Sequence, residues 1–454
     1  MTDSEDPRFR GLCAQVEQDM ERLHVPGVVL GVSYDGVEMI QGFGVTNIDH
    51  PLPVTDSTLF QIGSITKTFV GTLVMRLVEQ GIIELDAPLR AYLPDLQMSV
   101  DSVAGRVTMR HLLTHTGGWV GDYFDDFGYG DDALAKMVDK VAELPQLTPL
   151  GEIWSYNNSG FYLAGRVVEV VTGKPFETAM QELLLDPLGM RESFFYANDM
   201  ITRRFVVGHN VEENIAKVAT PWPIGRAAHP AGGLICTAGD LLKYSRFHMG
   251  GGTAEDGSRL LTPESLMLMR TPYCGAGGDR HVGLTWFISQ VDETQLIGHG
   301  GGTNGQITRL DIAPDRGYVI VVLTNANKGG EVCAAAIKTG LKSYLNLIEP
   351  EATPVESTDE ELAPYAGKYE SRMTRFEVTL TEGTLMLHMT PKGGFPKPDT
   401  PPAPAPPPFK IALYAPDRAV GVEPPYKAAL IEFLRDSEGN LAWMRVGGRI
   451  NRRE

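Results

Sequence analysis

Phe60-Gln61-Ile62-Gly63-Ser64-Ile65-Thr66-Lys67 holds the one Ser-x-x-Lys of the chain. Ser64 opens a helical stretch that carries Thr66, Phe69, Leu73 and Leu77 and ends near Gly81. A serine at a helix start and a lysine one turn on share a face. The ammonium can exchange a proton with the hydroxyl, and a neutral lysine could serve as the base directly. The helix N-terminus favours the negative charge that develops on the oxygen. Two fixed residues in four positions also arise by chance in a chain this long. Taken alone, the pattern equally fits a capping serine followed by a solvated lysine.

Its company decides between the two. Pro149-Leu150-Gly151-Glu152-Ile153-Trp154-Ser155-Tyr156-Asn157-Asn158-Ser159-Gly160 supplies a Tyr-x-Asn. Gly298-His299-Gly300-Gly301-Gly302-Thr303-Asn304-Gly305 supplies a His-x-Gly, read as lying just before a strand. Ser-x-x-Lys, Tyr-x-Asn and Lys/His-x-Gly in that order resemble the serine β-lactamase and penicillin-binding superfamily. The form here resembles the class C β-lactamase branch, with its esterases, D-aminopeptidases and acyltransferases. Arg110–Gly118 and Ala231–Leu241 are similar to stretches common in that family, and the resemblance covers about residues 8–345.

The resemblance implies roles. Ser64 is the expected nucleophile, and Lys67 and Tyr156 share the base role; which of them holds the proton is left open, since their titrations are coupled. Backbone N–H groups of Ser64 and Gly302 form the expected oxyanion hole. Asn158, His299 and Gly301 are the expected substrate-binding residues, with the Asn158 amide also holding Lys67. His299 stands where β-lactamases have lysine, and a neutral imidazole is a weaker carboxylate partner than an ammonium. That departure shifts weight from β-lactam antibiotics to neutral esters, lactones or amides. No metal and no cofactor is expected.

Several motif copies compete. Tyr196 and Tyr344 also start a Tyr-x-Asn, but Tyr196 lacks the Pro-x-Gly lead-in at the spacing seen before Tyr156, and Tyr344 lies on the late helix. Lys338-Thr339-Gly340 spells the third motif in a helical context, and His115-Thr116-Gly117 precedes the tyrosine, out of order. His111 and His115 are i, i+4 neighbours without the glutamate of a zinc protease, so they read as structural. Asp122, Asp125, Asp126, Asp131 and Asp132, interleaved with aromatics, read as a solvated loop or, alternatively, a pocket rim. Trp286 reads as core ahead of substrate platform.

Working outward, residues 8–23 read as an amphipathic helix through Leu12, Val16, Met20 and Leu23. Gly27–Tyr34 and Val37–Val45 read as a hairpin turned by Asp35-Gly36. Gln306–Ile312 and Tyr318–Leu323 read as strands joined by Pro314-Asp315-Arg316-Gly317, and Glu331–Leu345 as a helix. A helical, loop-rich block spans about 86–200. The expected fold is α+β: one antiparallel sheet collects strands from both ends of the region, flanked by helices, with an all-helical part. The hydrolytic domain is read as 1–345, a polar linker as 346–360, and a small C-terminal β-barrel, lipocalin-like, as 361–454. Strands are read at Phe376–Leu380, Leu385–Met389, Phe409–Tyr414, Ala429–Arg435 and Leu441–Val446. The Pro-rich insert Pro396–Pro408 is a loop, because its prolines lack backbone donors. A loop of that length invites the reading that it reaches the active-site entrance.

Bulk properties bound the rest. The 454 residues are 43% hydrophobic and 21% charged, with a formal net charge of −17. That acidity argues against nucleic acid as a partner. Cys13, Cys236, Cys274 and Cys333 are scattered, which fits neither a zinc ribbon nor a disulfide scaffold. The polar, acidic Met1–Pro7 does not read as a signal peptide, and no apolar run reaches the ~20 residues of a membrane span. The expectation is a cytoplasmic serine hydrolase, carboxylesterase-like, acting on a small ester, lactone or amide, with its oligomeric state open. Competing readings are a D-amino-acid peptidase or amidase, a β-lactamase, a transacylase, and a catalytically silent ligand-binding sensor. The intact motif set argues against the last.

Overall fold

The computed structural model of the protein describes residues 6–222, 224–424 and 426–454; Met1–Glu5, part of the N-terminal reading above, lie outside the described residues. Asp35 and Gly36, at φ 51° and 79°, turn the chain between β1 (Gly27–Tyr34) and β2 (Val37–Gly44). The later strands of the same sheet are β3 (Cys274–Gly275), β4 (His281–Val282), β5 (Phe287–Val291), β6 (Thr294–Thr303), β7 (Gln306–Ala313) and β8 (Tyr318–Thr324). The order is β2-β1-β8-β7-β6-β5-β4-β3, antiparallel throughout, so strands from both ends of the region do meet at β1 and β8.

Period-2 alternation sorts the side chains of β1 and β8 into two cores. Val28, Leu30, Val32, Ile320 and Val322 pack with Leu12 and Val16 of α1 (Pro7–Leu23). Val29, Val319, Val321 and Leu323 face the other way, onto Phe69 and Leu73 of α2 (Thr66–Glu79) and the rest of the helical region. That second core continues through α3 (Ser159–Thr172), the short α4 (His229–Gly232) and α5 (Ala238–Met249). Helix α6 (Gly329–Gly340) closes the first core and runs on through a wider turn to Leu345. The competing Lys338-Thr339-Gly340 lies on α6, as its helical context implied.

One strand boundary differs from the sequence reading. His299 lies within β6, not ahead of it. Glycine runs have poor strand propensity, which hid this stretch. The ladder to β7, with Gly301 opposite Thr308 and Gly302 opposite Ile307, holds it extended all the same.

The C-terminal region is a closed barrel: β9 (Gly367–Glu370), β10 (Thr374–Thr381), β11 (Thr384–Pro391), β12 (Phe409–Ala415), β13 (Arg418–Gly421), β14 (Leu430–Arg435), β15 (Leu441–Val446) and β16 (Arg449–Arg453). Pairing of Tyr369 with Arg453 closes it and removes the free edge. Alternate side chains fill it, among them Tyr369, Phe376, Leu387, Ile411, Phe433 and Met444. Among the described residues no helix is long and apolar enough to cross a membrane.

Candidate active site

Ser64 sits in a 3-10 turn, Gly63–Ile65, that feeds α2. Gly63 takes φ 55°, and a Cβ there would lie 2.5 Å from the Gly302 nitrogen. The turn is therefore pressed edge-on against β6, next to the backbone amide of Gly302. Gly301 makes the same junction from the other side: a Cβ would come within 1.8 Å of the Ile62 carbonyl oxygen. A side chain at either position would push the strand off the serine.

Lys67 is fully buried. Its Nζ lies 3.1 Å from Ser64 Oγ and donates to the Ala231 carbonyl of α4 at 2.5 Å. The rings of Tyr156 and Phe161 stand 5.0 and 5.3 Å away. Burial in this setting pushes the ammonium well below its ordinary value, and the nearby Arg449 guanidinium adds to the effect while Asp122 opposes it. The Asn158 amide, expected to hold Lys67, donates instead to Asp122 Oδ1 at 2.7 Å. A carboxylate is the stronger acceptor, and it turns the amide away from an amine that already has the Ala231 carbonyl.

Tyr156 lies on an irregular segment ahead of α3, its ring stacked on His115 with centroids 4.4 Å apart. Its buried hydroxyl makes no hydrogen bond among the described residues. Burial pushes the phenol well above its ordinary value; the adjacent Ser64 hydroxyl and Arg449 pull it part of the way back. His299 faces Tyr156 at 6.1 Å between centroids and Phe287 at 5.1 Å. Its Nδ1 lies 2.5 Å from the Gly300 carbonyl oxygen. A carbonyl only accepts, so Nδ1 carries the proton and Nε2 is a lone pair without a hydrogen-bond partner among the described residues. Burial, with Lys67 nearby, holds the imidazole at about 3, so it is neutral at pH 7.

Sequence reasoning passed over His115 and Arg449. His115 accepts the Asn157 N–H on Nδ1 at 3.0 Å and lies beneath the Tyr156 ring. His111 turns away to cap its own short helix with Thr108. Arg449 comes from β16 and places its guanidinium 4.6 Å from the Tyr156 ring centre. Its Nε donates to Asp122 at 3.1 Å. Nothing in a Gly-Gly-Arg near the C-terminus signals such a position. The aspartate loop carries its own cations: Asp126 pairs with Lys397, Asp131 with Arg226 and Asp132 with Lys136. Phe395 meets Phe124 edge-on at 4.9 Å, so the start of the Pro-rich insert rests on this loop. Trp286 is core, buried and stacked on Tyr244.

A deeper group backs the site. Glu177, Arg226 and His229 are all buried. The Glu177 carboxylate accepts from Arg226 through Nε and Nη2, both at 3.2 Å, and lies 2.7 Å from His229 Nδ1. Burial would raise this carboxyl, but its bonds and charge contacts with His229 and Arg226 outweigh that and hold it at about 2.

The Beta-lactamase family model matches residues 13–341. The chain belongs to the β-lactamase family. A penicillin-binding protein 4 of Amycolatopsis lactamdurans is 34% identical over 359 residues, 76% of this chain and 93% of its own length. A β-lactamase of Providencia stuartii is 28% identical across 51% of this chain and 57% of its own. The solved structure of SurE superposes with a TM-score of 0.77 at 26% identity, covering 98% of this chain and 99% of SurE, barrel included. A second SurE structure, solved with D-Leu, gives 0.76 at 25% identity over the same share of both chains. A class C β-lactamase of Rhodobacter sphaeroides shares the fold, with a TM-score of 0.63 at 24% identity over 74% of this chain and 99% of its own. Membership makes the chain a relative of serine hydrolases of the β-lactamase and transpeptidase fold.

Proposed function

We propose that the protein forms an acyl-Ser64 intermediate from a neutral ester or amide whose acyl part ends in a D-amino acid, and passes the acyl group to water or an amine. The observation that carries the acyl-enzyme part is the buried Lys67 amine 3.1 Å from Ser64 Oγ. A lysine held unprotonated by burial is a base at neutral pH. In this reading its lone pair takes the Ser64 proton as Oγ attacks the carbonyl carbon. The Ser64 and Gly302 N–H groups receive the oxyanion. Tyr156, kept as the neutral phenol, gives its proton to the leaving oxygen or nitrogen as the bond breaks. The Lys67 ammonium then restores the phenol proton, and the second half runs in reverse with the acceptor as nucleophile.

The D-amino-acid part is supported by the full-length likeness to SurE and its structure with D-Leu. A neutral substrate is supported by His299, whose unprotonated Nε2 offers a carboxylate no donor. The cytoplasmic reading rests on four free thiols, two of them buried. A panel of p-nitrophenyl esters, D- and L-aminoacyl p-nitroanilides and nitrocefin tests the proposal. Turnover of D- over L-aminoacyl compounds is expected, with nitrocefin poor. Preference for L-aminoacyl compounds, or efficient nitrocefin hydrolysis, would overturn it.

A further inference from the structure

The chain from Trp154 to Asn157 belongs to no helix and no strand, so its backbone groups need partners from elsewhere. Two come from the sheet domain: Ser155 N–H donates to the His115 carbonyl at 3.0 Å, and Asn157 N–H to the His115 ring. Three more contacts come from one hairpin of the barrel, β15–β16. Arg445 Nη1 donates to the Trp154 carbonyl at 2.9 Å, and Ile450 N–H to Ser155 Oγ at 3.2 Å. Tyr156 N–H donates to the Gly448 carbonyl at 2.8 Å. Gly447 and Gly448, at φ 56° and 78°, make the turn that brings this carbonyl in. A Cβ on Gly448 would lie 2.9 Å from the Trp154 ring. The next residue, Arg449, sets its half-exposed guanidinium over the Tyr156 ring and ties Asp122, and through it the Asn158 amide, to the same corner.

We propose that the C-terminal barrel is the mount of Tyr156, with Gly448 and Arg449 as positioning residues: the turn fixes the tyrosine backbone, and the guanidinium fixes its ring. This rests on the acyl-Ser64 reading. The Pro-rich insert, which drew attention in the sequence, pairs through Lys397 with Asp126 of the outer aspartate loop. The catalytic base region is reached by a two-glycine turn instead. Electrostatics run the same way: Arg449 lowers the proton affinity of both Lys67 and Tyr156, and Asp122 raises it. Removing the guanidinium deletes the first effect and leaves the second uncompensated.

The test is the rate at which a fluorophosphonate labels Ser64 in the full-length protein, measured against pH. In Arg449→Gln the rise of the rate with pH moves to higher pH by about one unit, a roughly tenfold loss below the midpoint. Arg449→Lys, which keeps the charge and loses the planar fork, restores most of the midpoint. Arg452→Gln, exposed on the same strand, keeps the wild-type profile. Gly448→Ala lowers kcat on the best ester with KM held. Thermal midpoints of all variants are read alongside; if Arg449→Gln does not fold, the Lys variant and Gly448→Ala carry the test. Superimposable pH profiles of Arg449→Gln and wild type, an equal shift in Arg452→Gln, or an unchanged kcat in Gly448→Ala would overturn the proposal. Failure of the wild type to label at all would instead sink the acyl-Ser64 reading.

Discussion

Gly63→Ala probes the junction on which the oxyanion hole depends. Alanine at φ 55° pays the left-handed strain of an L-residue, about 1 kcal/mol. Its Cβ would meet Gly302 backbone atoms at 2.5, 2.9 and 3.0 Å, and no flexible side chain is there to yield. Relief requires β6 to withdraw from the serine turn by about 1 Å, a displacement able to cost of the order of 10²-fold in rate. The strand is laddered on both sides, to β5 and β7, so the withdrawal strains the sheet as an overpacked core does, at ~1–3 kcal/mol. The summed stability loss is about 2–4 kcal/mol. In the proposed mechanism the Gly302 amide is used only when the oxyanion forms, so kcat falls about 10²–10³-fold with KM little changed. Steady-state kinetics on the best p-nitrophenyl ester, with urea unfolding in parallel, measure both. A folded Gly63→Ala with kcat within about twofold of wild type would refute this account of the Gly302 amide.

Further outcomes follow from the same geometry. Ser64→Ala abolishes turnover and fluorophosphonate labelling, and Lys67→Ala or Tyr156→Phe each costs nearly as much, because such groups act as a unit; a purified Ser64→Ala that keeps its turnover contradicts the nucleophile assignment. Lys67→Met raises the thermal midpoint at pH 7 while abolishing activity. The folded-state lysine has a lowered proton affinity, so folding at neutral pH must expel a proton; the advantage of Met shrinks as pH rises toward the ordinary lysine value of 10.5 and is checked by melts across pH. Glu177→Gln is less stable than wild type by on the order of 3 kcal/mol at pH 7. Because the folded carboxyl lies below its ordinary 4.5, at about 2, this difference is full above pH 4.5 and fades as pH falls through 2. Denaturant midpoints at pH 7 and 3 read it, and an unchanged gap between them refutes the coupling.

The motif order made the family and the sheet legible. The Ser64 turn, the Asp35-Gly36 hairpin and the β7–β8 pair all follow from local spacing and turn chemistry, and the structure has them where the residues put them. What escaped was set by contacts distant in sequence. β9, β13 and β16 are four or five residues long. Closure of the barrel, more than any alternation of their own, makes them strands. His115 read as a structural histidine because its relation to Tyr156 spans 41 positions of chain and has no local period. Arg449 is 293 positions from the tyrosine it covers. A sequence pattern reports the face a residue presents to its own element, and neither of these residues meets Tyr156 through its own element.

Two features bear on substrate charge, the aspartate loop and His299, and the structure separates them. Four of the five aspartates of the loop, Asp122, Asp126, Asp131 and Asp132, each face a cation, and Asp125 accepts from the Tyr123 hydroxyl. Exposed pairs of this kind contribute little stability, but they do cancel the field an approaching anion would meet. Repulsion from that loop is therefore weakened as a reason to exclude carboxylates. The proposed preference for a neutral substrate therefore rests on the second feature, His299. His299 has spent its N–H on the Gly300 carbonyl, and its buried Nε2 is a lone pair beside Tyr156 and Phe287. A lone pair selects for a donor, such as an amide N–H or a hydroxyl on the substrate, and against a carboxylate oxygen. The guanidinium beside Tyr156 does not reverse this while it remains bound to Asp122. A substrate carboxylate placed on it would share that cation with an aspartate that also holds Asn158, and would weaken the existing contact.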